Sequence, residues 1–338
     1  MNLGILSNLM MGLIREAKFR PFSGTSCTLG RQTMYMTPEE VLKAFSAEGV
    51  NPTSSVQIKI DTQTSSTKGN TILDHSFFAL LGFDKTFSVD VSDFEGAEMI
   101  VNLNKSIESD QENTCDLLVD GSLLDNVFDP VTALRNAARM VRPNGRIIMM
   151  NVGNFIPESG WIPYLMFTGV WFYDYFAING FIDVQVYTCC YHPQGVTTYM
   201  IDHDNMTREF GNGMVPPMKS DAPMAIIVFA EKGRDSTWDR TPTQHAYRPN
   251  TEWEQFEAMV ERYKGSKRPP FLWSTYHKIA DQYTPGWVYV DGGGRIRRPY
   301  HEDISDILID ERGEPGKPDS RARWYSRLRW GKHGHEQE

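Results

Sequence analysis

Between Asp74 and Val152 short apolar runs alternate with helix-like segments, and no other feature restricts the fold of this chain so strongly. His75–Leu81 has helical spacing and stops at Gly82, a residue suited to the left-handed turn that ends helices. Thr86–Val91 and Met99–Leu103 read as strands, with Asp90 near the end of the first. Asp116–Val119 reads as a third, running into Asp120-Gly121-Ser122. Pro130–Val141 sets Val131, Leu134, Ala138 and Val141 on one helical face, and Asp129 is positioned to cap it. Pro143-Asn144-Gly145 is a turn into the apolar strand Arg146–Val152. Such alternation predicts a doubly wound α/β fold, a mostly parallel sheet with helices on both faces.

The flanks extend this pattern. Leu3–Ile14 is apolar, yet too short to cross a bilayer, and Arg15, Lys18 and Arg20 follow it where a secretory signal carries its basic residues in front. It predicts an N-terminal helical unit, residues 1–24, that packs on the body or on a partner chain. Thr25–Leu29 reads as a strand ending at Gly30. Thr37-Pro38-Glu39-Glu40 opens a helix with a capping box, and Val41, Leu42 and Phe45 supply its apolar side. Val56, Ile58 and Ile60 alternate with polar residues as in a half-buried strand. Later, Val170–Asn179 is an aromatic-rich helix. Phe181–Cys189 and Met224–Ala230 then predict an antiparallel hairpin closing one sheet edge, with His192, Asp202, His203 and Asp204 in the loop between them. These elements make a domain over residues 25–232. Beyond Gly233, Thr251–Tyr263 is helical with Trp253, Phe256, Met259 and Val260 on one side, and the rest of 233–338 reads as an extension wrapping over that body.

Composition sets the class of partner. With 338 residues, 40% of them hydrophobic, and a net charge of −9, the chain is a globular protein whose acidic surface repels phosphate backbones. Nucleic acid is therefore excluded as its main partner. Arg321, Arg323, Arg327, Arg329 and Lys332 crowd the C-terminus, as a solvated tail or as a docking strip for an anionic partner or a second subunit. A homo-oligomer or partner subunit would engage through this tail or through the N-terminal helix. Cys27, Cys115, Cys189 and Cys190 form no metal-binding spacing and read as free thiols of a reducing cytoplasm. No membrane span is expected.

Acidic residues at strand ends accept hydrogen bonds from ribose hydroxyls, and Asp90 stands where such a residue belongs. The series Ser88-Val89-Asp90-Val91-Ser92-Asp93-Phe94-Glu95-Gly96-Ala97, Val101-Asn102-Leu103-Asn104, Cys115–Pro130 and Met140–Arg146 adds to this. Together these residues resemble class I S-adenosylmethionine-dependent methyltransferases, in particular a branch met in surface-glycan and related biosynthetic clusters. The resemblance covers about Thr25–Lys232 and implies a Rossmann-like sheet of seven strands with a terminal antiparallel hairpin. It implies S-adenosylmethionine as cofactor, held by Gly30 and Arg31, by Asp90 with Val91, and by Asp120, Gly121 and Ser122. Leu103 and Asn104 would lie near the adenine. Two departures stand out: Leu29-Gly30-Arg31-Gln32, or else Ile60–Gly69, takes the place of the glycine-rich loop, and Asp125-Asn126 replaces a Glu-His pair.

Methyl transfer from a sulfonium is an in-line displacement, in which positioning the acceptor is the protein's main task. A hydroxyl acceptor, such as that of a sugar or another small polar molecule, also needs a base. Asp125 is the first candidate and His192 the second. The cluster Asp202-His203-Asp204 cannot easily converge on one ion, so no metal is assigned. Trp171, Tyr173 and Tyr175 either stack on a sugar ring or belong to the core. Two other readings remain open: a methyltransferase-like binding or scaffold protein without turnover, and a nicotinamide-dependent oxidoreductase.

Overall fold

A single ten-stranded sheet organises the molecule in the computed structural model, which describes residues 4–67, 69–154, 163–192, 195–201, 203, 223–244, 247–272, 287–290 and 296–297. Its strands are β1 (Thr25–Leu29), β2 (Lys85–Asp90), β3 (Met99–Ile100), β4 (Cys115–Gly121), β5 (Val141–Val152), β6 (Ile182–His192), β7 (Gly195–Ile201), β8 (Met224–Glu231), β9 (Trp287–Val290) and β10 (Ile296–Arg297). They lie in the order β10-β9-β7-β6-β8-β5-β4-β1-β2-β3. The run from β3 to β5 is parallel, and every pairing from β5 to β10 is antiparallel.

Helices cover both faces, and the strand residues divide between them with period two. On one face α1 (Ser7–Phe19), α2 (Pro38–Glu48) and α3 (Asp74–Leu80) share a core with Leu117, Val119, Ile148 and Met150. On the other, α4 (Pro130–Met140), α5 (Gly169–Ile178) and α6 (Asn250–Ser266) pack on Leu118, Ile147 and Met149. Strands buried on both faces must be apolar there, which is why Leu117–Val119 of β4 and Ile147–Met150 of β5 read as apolar runs in the sequence. The expected doubly wound architecture is present.

Local chemistry fixes the helix ends. Thr37 accepts a hydrogen bond from the Glu40 amide while Glu40 reaches back to the Thr37 amide, which is the expected capping box. Asp129 caps α4 by accepting from the Thr132 amide at 3.0 Å. Leu42 and Val131, expected on apolar faces, are exposed, and the buried faces are Val41, Ala44 and Phe45 in α2 and Ala133, Leu134, Ala137 and Ala138 in α4.

Several expectations need correction. Val56–Ile60 forms no strand: Ile60 makes one isolated bridge to Ile72, and the alternation belongs to a loop lying over α2 and α3. The predicted antiparallel neighbours β6 and β8 are paired, but β8 lies between β5 and β6. They do not close the edge, because β7 folds back onto β6 and then pairs with β9. The stretch between them is therefore partly a strand rather than a loop. Asp202, Asp204 and the basic C-terminal strip lie outside the described residues. Among the described residues no helix is long and apolar enough to cross a membrane.

A buried ionic cluster ties α1 to the sheet. Glu16 is fully buried and meets Arg146 at 2.9 Å and Arg268 at 3.1 Å. Arg268 also reaches Glu231 at 3.0 Å and Asp183 at 3.2 Å, and Arg20 closes the set on Glu231. Desolvation pushes the Glu16 carboxyl up, against the pull of the arginines. Three carboxylates face three guanidiniums, so removing one cation leaves buried charge uncompensated. Arg268→Ala is expected to lower unfolding stability by about 3–5 kcal/mol in urea titration. A loss under about 1 kcal/mol would show that the cluster is solvated or dispensable.

Candidate functional site

In a doubly wound sheet, ligands bind beyond the carboxyl ends of the strands, where the chain turns from building in one direction to building in the other. Here that switch point lies between β1 and β4, since β2 and β3 extend one side of β1 while β4 and β5 extend the other. Gly30 ends β1 with φ +69°, its amide donating to the Val89 carbonyl at 2.7 Å. Asp90 and Val91 stand at the tip of β2, and Asp120, Gly121 and Ser122 at the tip of β4. The sheet thus brings these predicted residues to one end of the molecule.

The β4 tip is a saturated polar network. Asp120 is fully buried and accepts from the Leu123 amide at 2.6 Å, the Leu124 amide at 3.3 Å and the Asn151 side chain at 2.9 Å. Ser122 has φ +78°, a costly conformation for a residue with a Cβ, and its hydroxyl donates to Asp125 at 2.6 Å. Asp125 also accepts from the Val152 amide at 3.0 Å and the Asn126 side chain at 2.7 Å. Burial pushes Asp120 up to about 6. Burial likewise raises Asp125 to about 7, opposed by the Ser122 hydroxyl and the Val152 amide and reinforced by the charge of Asp120. Neither carboxylate is exposed, so Asp125 as observed touches Ser122, Asn126 and Val152 rather than open solvent.

Other predicted residues are placed differently. The Arg31 guanidinium donates to Asp74 through bonds of 2.7 and 3.2 Å and to Gln63 at 2.8 Å. Leu103 is buried in the core under α4. Asn104 accepts the Asp129 amide at 2.9 Å, fastening the loop after β3 to the start of α4. Asp90 is half-buried and accepts the Val91 amide at 2.6 Å; desolvation raises its carboxyl, against its backbone hydrogen bonds. Val91 and Phe94 near it are exposed, as are Phe128 and Tyr164 beyond β4, which meet edge to face at 6.0 Å. His192 ends β6, at the same end of the sheet as Val152, because both strands pair with the start of β8. Its side chain lies outside the described residues.

Tyr173 and Tyr175 are buried core residues, and the Tyr175 hydroxyl donates to the Trp238 carbonyl at 2.8 Å. Trp171 packs on Phe167 and Phe172. His203 stacks on Tyr263 and lies 3.1 Å from the Tyr173 hydroxyl. Among the described residues no group of three or more His, Cys, Asp or Glu could hold a metal ion. A groove lined by Thr25, Lys85, Glu98 and Arg142 opens at the amino ends of β1 and β2, the wrong end for a ligand of this fold.

Three residues important to the crest escape sequence reasoning. Asn151 bridges the network, donating to Asp120 and accepting the Asp125 amide at 3.2 Å; a lone polar residue inside an apolar strand was its only signal. Gln32 is fully buried, and its amide nitrogen donates to the Leu29 carbonyl at 2.6 Å and the Gly30 carbonyl at 3.2 Å. Gly4 donates to the Gly121 carbonyl at 2.9 Å, so the N-terminal segment crosses the tip of β4. No pattern in the sequence announces that crossing.

The sequence matches no protein-family model and no curated protein. Among solved structures it is similar to phosphoethanolamine N-methyltransferase 2 of Haemonchus contortus, crystallised with S-adenosyl-L-methionine, at 10% identity and TM-score 0.33. That match covers 66% of this chain and 52% of the other, so the chain spans about half the length of that enzyme. It is also similar to the YcgJ protein of Bacillus subtilis, at 11% identity and TM-score 0.33 over 66% of this chain and 98% of that one. A SAM-dependent methyltransferase of Thermotoga maritima matches at 11% identity and TM-score 0.31, over 66% and 89% of the two chains.

The carboxyl pair has a titration signature. Asp120 and Asp125 are raised to about 6 and about 7, whereas unfolded aspartates titrate near about 4. Between those limits the folded state holds more protons than the unfolded state. Their contribution to stability is complete below about pH 4 and is lost as pH rises through the folded values. Asp125→Asn removes one such group, so its destabilisation relative to wild type should be about 2 kcal/mol smaller at pH 8 than at pH 5. Urea titrations at the two pH values measure it; an identical difference at both would contradict the raised carboxyl.

Proposed function

We propose that the chain binds S-adenosylmethionine across the tips of β2, β1 and β4 and transfers its methyl group to a hydroxyl of a sugar or another small polar acceptor. One observation carries this reading: the switch point of a doubly wound sheet is flanked by Asp90 on one side and the Asp120–Ser122 turn on the other. Asp90 is half-buried beside exposed Val91, an acceptor for a ribose diol next to an apolar surface for a base. At the β4 tip, Gly121 offers a backbone with no Cβ, and the buried Gln32 oxygen has no hydrogen-bond partner. Both suit a polar ligand arriving at that point. Bound there, S-adenosylmethionine supplies an electrophilic methyl group on a sulfonium.

The chain's own part is orientation and proton handling. Alignment of acceptor and methyl is worth roughly 7–11 kcal/mol in well-oriented systems. Asp125, raised to about 7, titrates in the range a general base needs near neutrality. Its oxygens are now held by Ser122, Asn126 and Val152, so it acts when that turn rearranges around an acceptor, with His192 as the second base. Arg31 serves by fixing the loop after β1 through Asp74. The glycan-cluster acceptor rests on the sequence resemblance; four free, buried cysteines support a reducing cytoplasm.

A second reading has its own support. Gly4 and Gln32 fill the space over Gly121, as expected of a methyltransferase-like scaffold that binds without turnover. Calorimetry with S-adenosylhomocysteine separates the two. The enzyme reading predicts saturable binding that Asp90→Ala weakens by about 10- to 100-fold, the loss of hydrogen bonds to a charged acceptor. Absence of binding heat from the full chain and from every crest variant would leave only the scaffold.

A further inference from the structure

The residues over the switch point come from the chain itself. Gly4 donates to the Gly121 carbonyl at 2.9 Å, and Ile5 donates to the Thr33 carbonyl at 2.9 Å, forming a parallel bridge with Met34. Ile5 is fully buried. The contact is close: a Cβ on Gly121 would stand 2.8 Å from the Gly4 carbonyl oxygen and would overlap Gln32 Oε1. Gly4 has φ +63°, and a side chain there would collide with the Thr33 carbonyl. The segment is seated by backbone bonds on one strand tip and one loop.

What it covers is incomplete. Gln32 is fully buried, and its orientation follows from its partners, since only the amide nitrogen can face the carbonyls of Leu29 and Gly30. Its oxygen therefore points at Gly121, and it has no hydrogen-bond partner. A buried acceptor without a donor is costly, and native proteins rarely leave one. Gly4 spends its own amide on Gly121 and supplies no donor to Gln32.

We infer that Gly4–Ile5 is a strap closed over the ligand subsite at the tips of β1 and β4. The group that displaces it carries an N–H or O–H donor for Gln32 Oε1. This rests on the cofactor reading above, in which the amino-acid end of the ligand lies at Gly121 and the nucleoside end at Asp90. Binding of a whole ligand then requires the open form, and its apparent affinity is reduced by the fraction of molecules in which the strap is open. A ligand confined to the Asp90 side does not meet the strap.

The test uses the full chain and two probes, S-adenosylhomocysteine and adenosine, titrated by calorimetry. Gly4→Val dislodges the strap, because a β-branched residue fits neither its positive φ nor its contact with Thr33. It is expected to tighten S-adenosylhomocysteine about tenfold or more and adenosine less than about twofold. The converse variant, Ile5→Cys with Met34→Cys, joins the two bridge partners by a disulfide. When oxidised it should bind S-adenosylhomocysteine about tenfold more weakly, with recovery on reduction, while adenosine is unchanged. Adenosine binding also reports that each variant is folded. Equal affinities for S-adenosylhomocysteine in wild type, Gly4→Val and the oxidised disulfide would overturn the strap and leave the cofactor reading standing. If neither probe binds any variant, the cofactor reading falls and the strap with it.

Discussion

The turn after β4 has backbone amides that no strand can satisfy, and the crest is built around Asp120, which accepts two of them, and Asp125, which ties the turn to β5. Asp120 takes the amides of Leu123 and Leu124, and Asp125 takes that of Val152 on the neighbouring strand. Two carboxylates without solvent contact cannot both stay ionised cheaply, which is why both are raised and why Asn151 is needed between them. Ser122 is held at positive φ by its bond to Asp125. The position of Gly121, and with it the approach of Gly4 and Gln32, follows from that turn.

Much of the framework was legible because it is set by local chemistry and by burial on two faces. β1 matches Thr25–Leu29 residue for residue, and the capping box at Thr37 and the apolar face of α6 are as the sequence predicts. The parallel core was readable because strands covered on both sides must be apolar runs. Val56–Ile60 misled because alternation marks a strand only when a neighbouring strand exists to pair with it, and Ile60 finds only Ile72. β7 was missed because Gly195–Ile201 is a strand through its pairing with β6 on one side and β9 on the other, partners that spacing along the chain does not show.

The candidate site is legible in the sequence as positions at strand ends, and not in its partners. Asp90 and Asp120–Ser122 stand at strand ends as expected, since strand ends are visible in the hydrophobic pattern. The resemblance places Arg31 beside the cofactor, and the guanidinium bonds to Asp74, 43 positions away, a partner that spacing does not show. Asp125 was singled out for its position past β4, yet its state depends on Ser122, on Asn126 and on Val152 from another strand. In the aromatic run Trp171–Phe176, the side chains of Phe172, Tyr173, Tyr175 and Phe176 are buried where α5 packs on β6, β8 and α6. Tertiary partners of this kind leave no trace in spacing.

The chain's own N-terminal segment lies across the tip of β4, with Gly4 bonded to the Gly121 carbonyl. The most direct measurement is a crystal structure of the full chain soaked with S-adenosylhomocysteine. The account predicts the ribose within hydrogen-bonding distance of Asp90, the amino-acid end beside Gly121 and Gln32, and Gly4 moved off the Gly121 carbonyl. Ligand density elsewhere, with Gly4 still bonded to Gly121, would contradict it.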